Sequence, residues 1–303
     1  MSLEEAVEYL AGIINRAERH TPDDITGFTP VSDGCVVAGV DGGSAIIFDG
    51  WGITLCAYRA GHMKYKDGKL HSMNIPPPEI TVLTGENSIQ SCEKTLSAST
   101  PEKRVDPERA VSSLREAQEL NEILHLIKEL PEGSIIVFDG SFDLLRSLSS
   151  NQIEDMKSRL DHRGISLVGV SKSTSLSVHG LPFNLAFMNI KSNSCWYSRV
   201  EAKGLRLGSC HAVKFHPVSR YIFRVDICAK DIEHTLKTLA SYATDPFYLG
   251  YPYPLAHVHN RVSLAVDERE GILSEIERRL PPLHQEGFET LITDFHEVLD
   301  MAR

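Results

Sequence analysis

The sequence predicts an α/β fold, a mixed sheet with helices packed on its faces. Three observations carry that reading. Short apolar runs separated by glycine turns follow one another between residues 35 and 61, the pattern of an antiparallel meander. From 107 to 171, helical stretches then alternate with apolar strands, as in β-α-β units. Finally, 42% of the 303 residues are hydrophobic and 24% are charged, so the chain can bury a sizeable core.

The elements follow in order. Residues 3–19 spell an amphipathic helix, with Ala6, Leu10, Ile13 and Ile14 at helical spacing. A Pro/Asp/Gly-rich stretch leads to about Gly34. Three short strands follow: Cys35 to Val40 before Asp41-Gly42-Gly43, Ala45 to Phe48 before Asp49-Gly50-Trp51-Gly52, and Ile53 to Arg59 before Gly61. Residues 60–106 are polar and irregular, a long loop without an assigned role. Asp106-Pro107-Glu108 opens a helix with an N-cap acid, Pro at the first helical position and an acid in the first turn. That helix runs to about Leu130. Ser134 to Phe138 is a buried-type strand, followed by a helix near 150–162 and a strand from Ile165 to Ser171. Strands are expected at 185–190, 195–201, 211–216 and 221–227, and helices near 231–243, 267–279 and 285–302. Pro252 and Pro254 argue against a helix beginning before Leu255.

Composition excludes several classes. No apolar run approaches the roughly 20 residues that cross a bilayer, and the acidic start MSLEEAVEYL is not a secretory signal, so the expected location is the cytoplasm. Six cysteines stand at 35, 56, 92, 195, 210 and 228 without a C-x-x-C pair, which argues against a zinc ribbon or a disulfide scaffold. The net charge of −10 argues against a bulk nucleic-acid coat, yet residues 191–230 hold eight Lys or Arg and only two acids. Such a stretch suits a polyanion, or is a pair of solvated strands. No P-loop, G-x-G-x-x-G, H-E-x-x-H or G-x-S-x-G occurs.

Asp41 and Asp139 each end a buried strand, and each is followed by Gly. Strand ends gather functional side chains from distant parts of a chain. Two carboxylates brought together repel unless a cation neutralises them, and carboxylate oxygens suit Mg²⁺ or Mn²⁺. The plainer reading is that both cap Asp-Gly turns. Glu116, Glu119 and Glu122 could add a third carboxylate, or simply form the wet face of their helix. His257 and His259 share a face only if extended. They could bind a metal as a pair, one alone fits better as a ligand or general acid/base, and the plain reading is polar residues in a Pro-bound loop. Lys172, in SKSTSLS, could meet a phosphate or lie in a solvated loop.

Taken together, these segments resemble the NurA family of archaeal and bacterial DNA-end-processing nucleases, and the meander bearing Asp41 looks like the start of a ribonuclease-H-like fold. The resemblance rests on VDGGS around Asp41, LREAQEL, FDGS around Asp139, VSKST around Lys172, RYIFRVDI and YPYPLAHVHNRVSL, in the family's order over about 35–265. It implies one nuclease domain over 1–303, with an N-terminal helix at about 3–19 and a helical closure at about 265–303. It also implies metal-dependent DNA hydrolysis with Mn²⁺ (Mg²⁺ possible), as a 5′–3′ exonuclease and single-strand endonuclease. A homodimer and a HerA-type hexameric translocase in end resection are implied as partners.

The metal and catalytic residues implied are Asp41, Asp139, a helical glutamate and His259. Glu119 matches that glutamate best, since Arg115 precedes it by four, with Glu116 as the alternative register. Val258 stands where the family often has Ala. The family's tyrosine maps to Tyr197 or Tyr221. Lys172, Tyr197, Arg199 and Arg220 are the expected DNA-binding residues. The chemistry is consistent with two metals clamping the attacking and leaving oxygens and with a basic stretch tracking the backbone. Two rivals stand beside it: another ribonuclease-H-like RNase or resolvase, and a non-catalytic DNA-binding partner of a motor.

Overall fold

The computed structural model describes residues 1–20, 22, 24–84 and 106–292. Ten strands form one mixed sheet in the order β1-β10-β11-β12-β7-β6-β2-β3-β4, with β5 paired to β3. These strands are β1 (Thr26–Phe28), β2 (Val36–Gly50), β3 (Ile53–Lys66), β4 (Lys69–Asn74), β5 (Glu79–Thr84), β6 (Ile135–Asp139), β7 (Ser166–Ser171), β10 (Cys195–Val200), β11 (Ser209–Lys214) and β12 (Phe223–Cys228). Strands β8 (Ser177–Val178) and β9 (Leu181–Pro182) make a separate two-residue ladder. The helices are α1 (Leu3–Glu18), α2 (Pro107–Glu129), α3 (Ser150–Arg163), α4 (Phe183–Ala186), α5 (Ile232–Ser241), α6 (Tyr253–Val262), α7 (Val266–Arg279) and α8 (Pro282–Ile292).

The chain divides into two compact units. One comprises Met1–Val40, His62–Met73 and Ile123–Val258, the other Asp41–Gly61, Asn74–Glu122 and His259–Arg303. In the first, β2, β6 and β7 run parallel, and the ladder from β7 through β12, β11 and β10 to β1 is antiparallel. β6 and β7 are buried along nearly their whole length, as strands covered on both faces are. Phe183, Phe187, Trp196 and Ala212 pack with Ala17 in one core cluster. In the second unit, Cys56, Tyr58 and Leu83 pack with Ala110 and Val111 of α2.

Several expectations are corrected. Asp41-Gly42-Gly43 is not a turn: β2 runs through it for 15 residues. The glycines are there for close approach, since a side chain at Gly43 would strike the carbonyl of Val262, and one at Gly42 would strike Glu119. The turn comes later, at Trp51 (φ 54°) and Gly52 (φ 81°), whose two left-handed residues fit the twist of the hairpin. Asp67 (φ 50°) and Gly68 (φ 73°) make a second such turn, so residues 60–84, read as loop, hold the end of β3, β4 and β5. Residues 85–105 lie outside the described residues, as do Cys92 and the end of the helix expected at 285–302.

The strand expected at 185–190 is instead helix α4 and the turn after it. Phe183, Ala186 and Phe187 are buried at helical spacing, which a strand would split between two faces. Helix α1 forms as expected, with a Ser2–Glu5 capping box, but Leu10 and Ile14 on its apolar stripe are exposed. Cys56, Cys195, Cys210 and Cys228 are buried core residues, and burial pushes the Cys56 thiol up to about 11 and that of Cys210 to about 12.

Candidate metal centre

Strand register sets the first half of the site. Val40 lies opposite Phe138 in the parallel pairing of β2 and β6. The next residue on each strand is an aspartate, so Asp41 and Asp139 follow side by side from the pairing itself. Asp41 is buried, at 2% exposure, and its Oδ1 accepts the amide N–H of Gly42 at 2.8 Å.

Helix α6 supplies the second half. Its two prolines do not prevent it: Pro252 precedes it and Pro254 lies in the first turn, where backbone N–H groups have no helical partner to lose. Leu255, Val258 and Val262 form its buried face. Gly39, Asp41 and Gly43 share one face of β2 by the two-residue period of a strand. A side chain at Gly39 would collide with the backbone of Pro254, so both glycines let α6 lie against the strand. Asp41, between them, meets His259: Nδ1 lies 2.7 Å from Oδ2. A carboxylate only accepts, so in this contact Nδ1 is the donor. Arg59 fixes the end of the helix, donating to the carbonyls of Val262 and Ser263 and pairing bidentately with Glu268.

One ligand atom each from Asp41, Asp139 and His259 lies within 4.8 Å of the others. Two carboxylate oxygens and an imidazole nitrogen are a donor set that fits a divalent metal such as Mn²⁺. His257 is not in the group. Two residues apart on a helix, the two imidazoles face nearly opposite ways, and His257 instead bonds the Tyr65 hydroxyl at 2.7 Å. Glu119 is buried and also outside the group. It accepts from Arg115 at 2.9 Å and abuts Gly42, the residue after Asp41. Glu116 is exposed, 3.8 Å from the same arginine.

The residues expected to bind DNA are spread more widely. Lys172 Nζ sits 2.5 Å from Oδ2 of Asp139 and 5.5 Å from the centre of the Tyr251 ring. Arg220 is exposed, over the ring of Tyr221. Arg199 is exposed on β10. Tyr197 is half-buried and packs on Phe28 and His211, a structural setting. Sequence reasoning missed the Lys172–Asp139 pair, the Arg59 clamp and the glycine approach. The odd run of two glycines after a strand-end Asp was the available signal for the last.

This is the fold of an α/β nuclease. In particular, the chain is similar to the NurA nuclease from Sulfolobus solfataricus, with a TM-score of 0.60 and 16% identity over 92% of this chain and 94% of that one. A second NurA structure aligns with a TM-score of 0.53 and 10% identity, over 95% of this chain and all of that one. No protein-family model and no curated protein matches the sequence.

Proposed function

We propose that the protein is a metal-dependent nuclease that hydrolyses DNA phosphodiester bonds. The observation that carries this reading is the meeting of Asp41, Asp139 and His259 from two parallel strands and one helix. Asp41, Asp139 and His259 would hold the metal. When bound, a divalent cation offsets charge on the phosphate and supplies an activated water.

The chain's own residues do the rest. Asp41 also orients the His259 ring through its contact with Nδ1. Lys172, exchanging Asp139 for the substrate, neutralises a phosphate oxygen. Glu119, held by Arg115 beside Asp41, is the proposed third carboxylate.

The finer reading extends the family resemblance. It makes the protein a 5′–3′ exonuclease and single-strand endonuclease in DNA end resection, acting in the cytoplasm with a HerA-type translocase. An imidazole among the donors favours Mn²⁺ over Mg²⁺. A homodimer is supported by the exposed stripe of Leu3, Val7, Leu10 and Ile14 on α1, which association would cover. Among the described residues, no helix is long and apolar enough to cross a membrane.

The test uses single- and double-stranded DNA labelled at one end, with Mn²⁺, Mg²⁺ or EDTA. Metal-dependent cleavage with a ladder growing from the 5′ end is expected. Equal cleavage in EDTA would contradict the metal role, and cleavage of RNA in preference to DNA would favour a different ribonuclease-H-like activity.

A further inference from the structure

A groove beside the metal centre shares only Lys172 with the chemistry above. It has a volume of about 280 Å³, and its walls include Lys172, Lys214, Arg220 and Tyr221, with Trp196 and Phe223 among its aromatic lining. Three cations and no carboxylate line it. Lys172 belongs to both places: it lines the groove, and its Nζ reaches Asp139. One side chain therefore separates the groove from the proposed point of cleavage.

The groove pairs charge with flat aromatic surface. Tyr221 is 54% exposed, and the Arg220 guanidinium lies 5.4 Å from its ring centre. The volume is just below the range of about 300–1,000 Å³ typical of small-ligand sites, which suits one nucleotide and not a duplex. Cations hold phosphates without reading sequence, and an exposed aromatic ring stacks any base that has left its pair.

Resting on the nuclease reading, we propose that this groove holds an unpaired nucleotide next to the scissile phosphate. Its base stacks on Tyr221, and Lys172 and Lys214 hold its phosphates. The strand reaches the carboxylates past Lys172.

The experiment measures binding of fluorescein-labelled oligothymidylate by anisotropy in EDTA, with the full chain, so that no cleavage is needed. Tyr221→Ala is expected to weaken single-strand binding about tenfold, and Tyr221→Phe to keep it. Affinity for a blunt duplex of the same length should change no more than about twofold in Tyr221→Ala, since a paired base offers the ring no face. Lys214→Ala should lower the slope of log affinity against log salt by about 0.7.

Wild-type single-strand binding by a folded Tyr221→Ala would overturn the proposal. So would equal losses on single strand and duplex, or displacement of the oligonucleotide by polyglutamate as effective as by unlabelled oligothymidylate. The two readings fail separately. Absence of metal-dependent cleavage with strand binding intact sinks the nuclease; unchanged strand affinity in Tyr221→Ala with cleavage intact sinks the groove.

Discussion

Nδ1 of His259 lies 2.7 Å from Oδ2 of Asp41, although 218 residues separate them in the chain. The contact joins a strand near the start of the sequence to a helix near its end. Asp41 is buried while the His259 side chain is 48% exposed, so the pair spans from the interior to solvent. That arrangement suits the proposed site, in which a cation sits inside and the phosphate arrives from outside.

Removing the imidazole should therefore separate function from folding. In His259→Ala, metal affinity measured by calorimetry is expected to fall about 10- to 100-fold and cleavage about 100-fold. The melting temperature in EDTA should move little, because the ring is half-exposed. Unchanged metal affinity would remove His259 from the site.

The glycines of β2 make a sharper structural test. Gly43→Ala places a methyl group against the carbonyl of Val262, a backbone atom that cannot swing away. A loss of about 1–3 kcal/mol in urea unfolding is expected, together with reduced cleavage, since α6 must shift and carries His259 with it. Gly12→Ala is the control. Gly12 lies in α1 with open space around it, and the same substitution should stabilise by about 0.5–1 kcal/mol. Equal effects at both positions would contradict the close approach.

Arg59 tests how the end of α6 is held. Arg59→Ala leaves the carbonyls of Val262 and Ser263 without their donor and Glu268 without its partner. A cost of about 1–3 kcal/mol is expected, with a parallel loss of cleavage. Arg59→Lys should recover only part of it, because an ammonium cannot make the bidentate fork. Full recovery would show that only the charge matters.

Stability should fall in mild acid for a reason remote from the site. Burial, with the Arg199 charge adding to it, lowers His211 from 6.5 to about 4. The folded state thus holds the ring neutral while the unfolded chain takes up a proton. This stabilisation is complete above pH 6.5 and is lost progressively as pH falls from there through 4. For His211 alone the loss reaches about 3 kcal/mol. Urea titrations across that range should show the slope in wild type and a flatter one in His211→Asn; parallel slopes would rule His211 out as the cause.

How far the sequence revealed the site depends on which interactions are local. Asp41, Asp139 and His259 were legible because each ends an apolar run or sits in an unusual motif. The Trp51-Gly52 turn was legible from its Asp-Gly context, and Asp67-Gly68 carried the same kind of signal within a stretch read as loop. The path of β2 was not legible. Asp41-Gly42-Gly43 favours a turn locally, and only packing against α6 and Glu119, more than 70 residues away, holds it extended. The facing of His257 and His259 was likewise hidden until the Pro-rich segment proved helical. Lys172 is exposed and follows a strand, as expected, but its partner Asp139 is 33 residues earlier and comes from the neighbouring parallel strand.

The most direct measurement is turnover of end-labelled single-stranded DNA in Mn²⁺ by wild type, Asp41→Ala and Asp139→Ala, with Mn²⁺ affinity and melting temperature recorded for each. Wild type should cleave and bind the metal. Both variants should melt like wild type in EDTA while losing Mn²⁺ binding and at least about 100-fold in rate, as loss of a metal-held transition state requires. Wild-type turnover by a folded Asp41→Ala, with Mn²⁺ affinity unchanged, would contradict the metal centre and with it the proposed reaction.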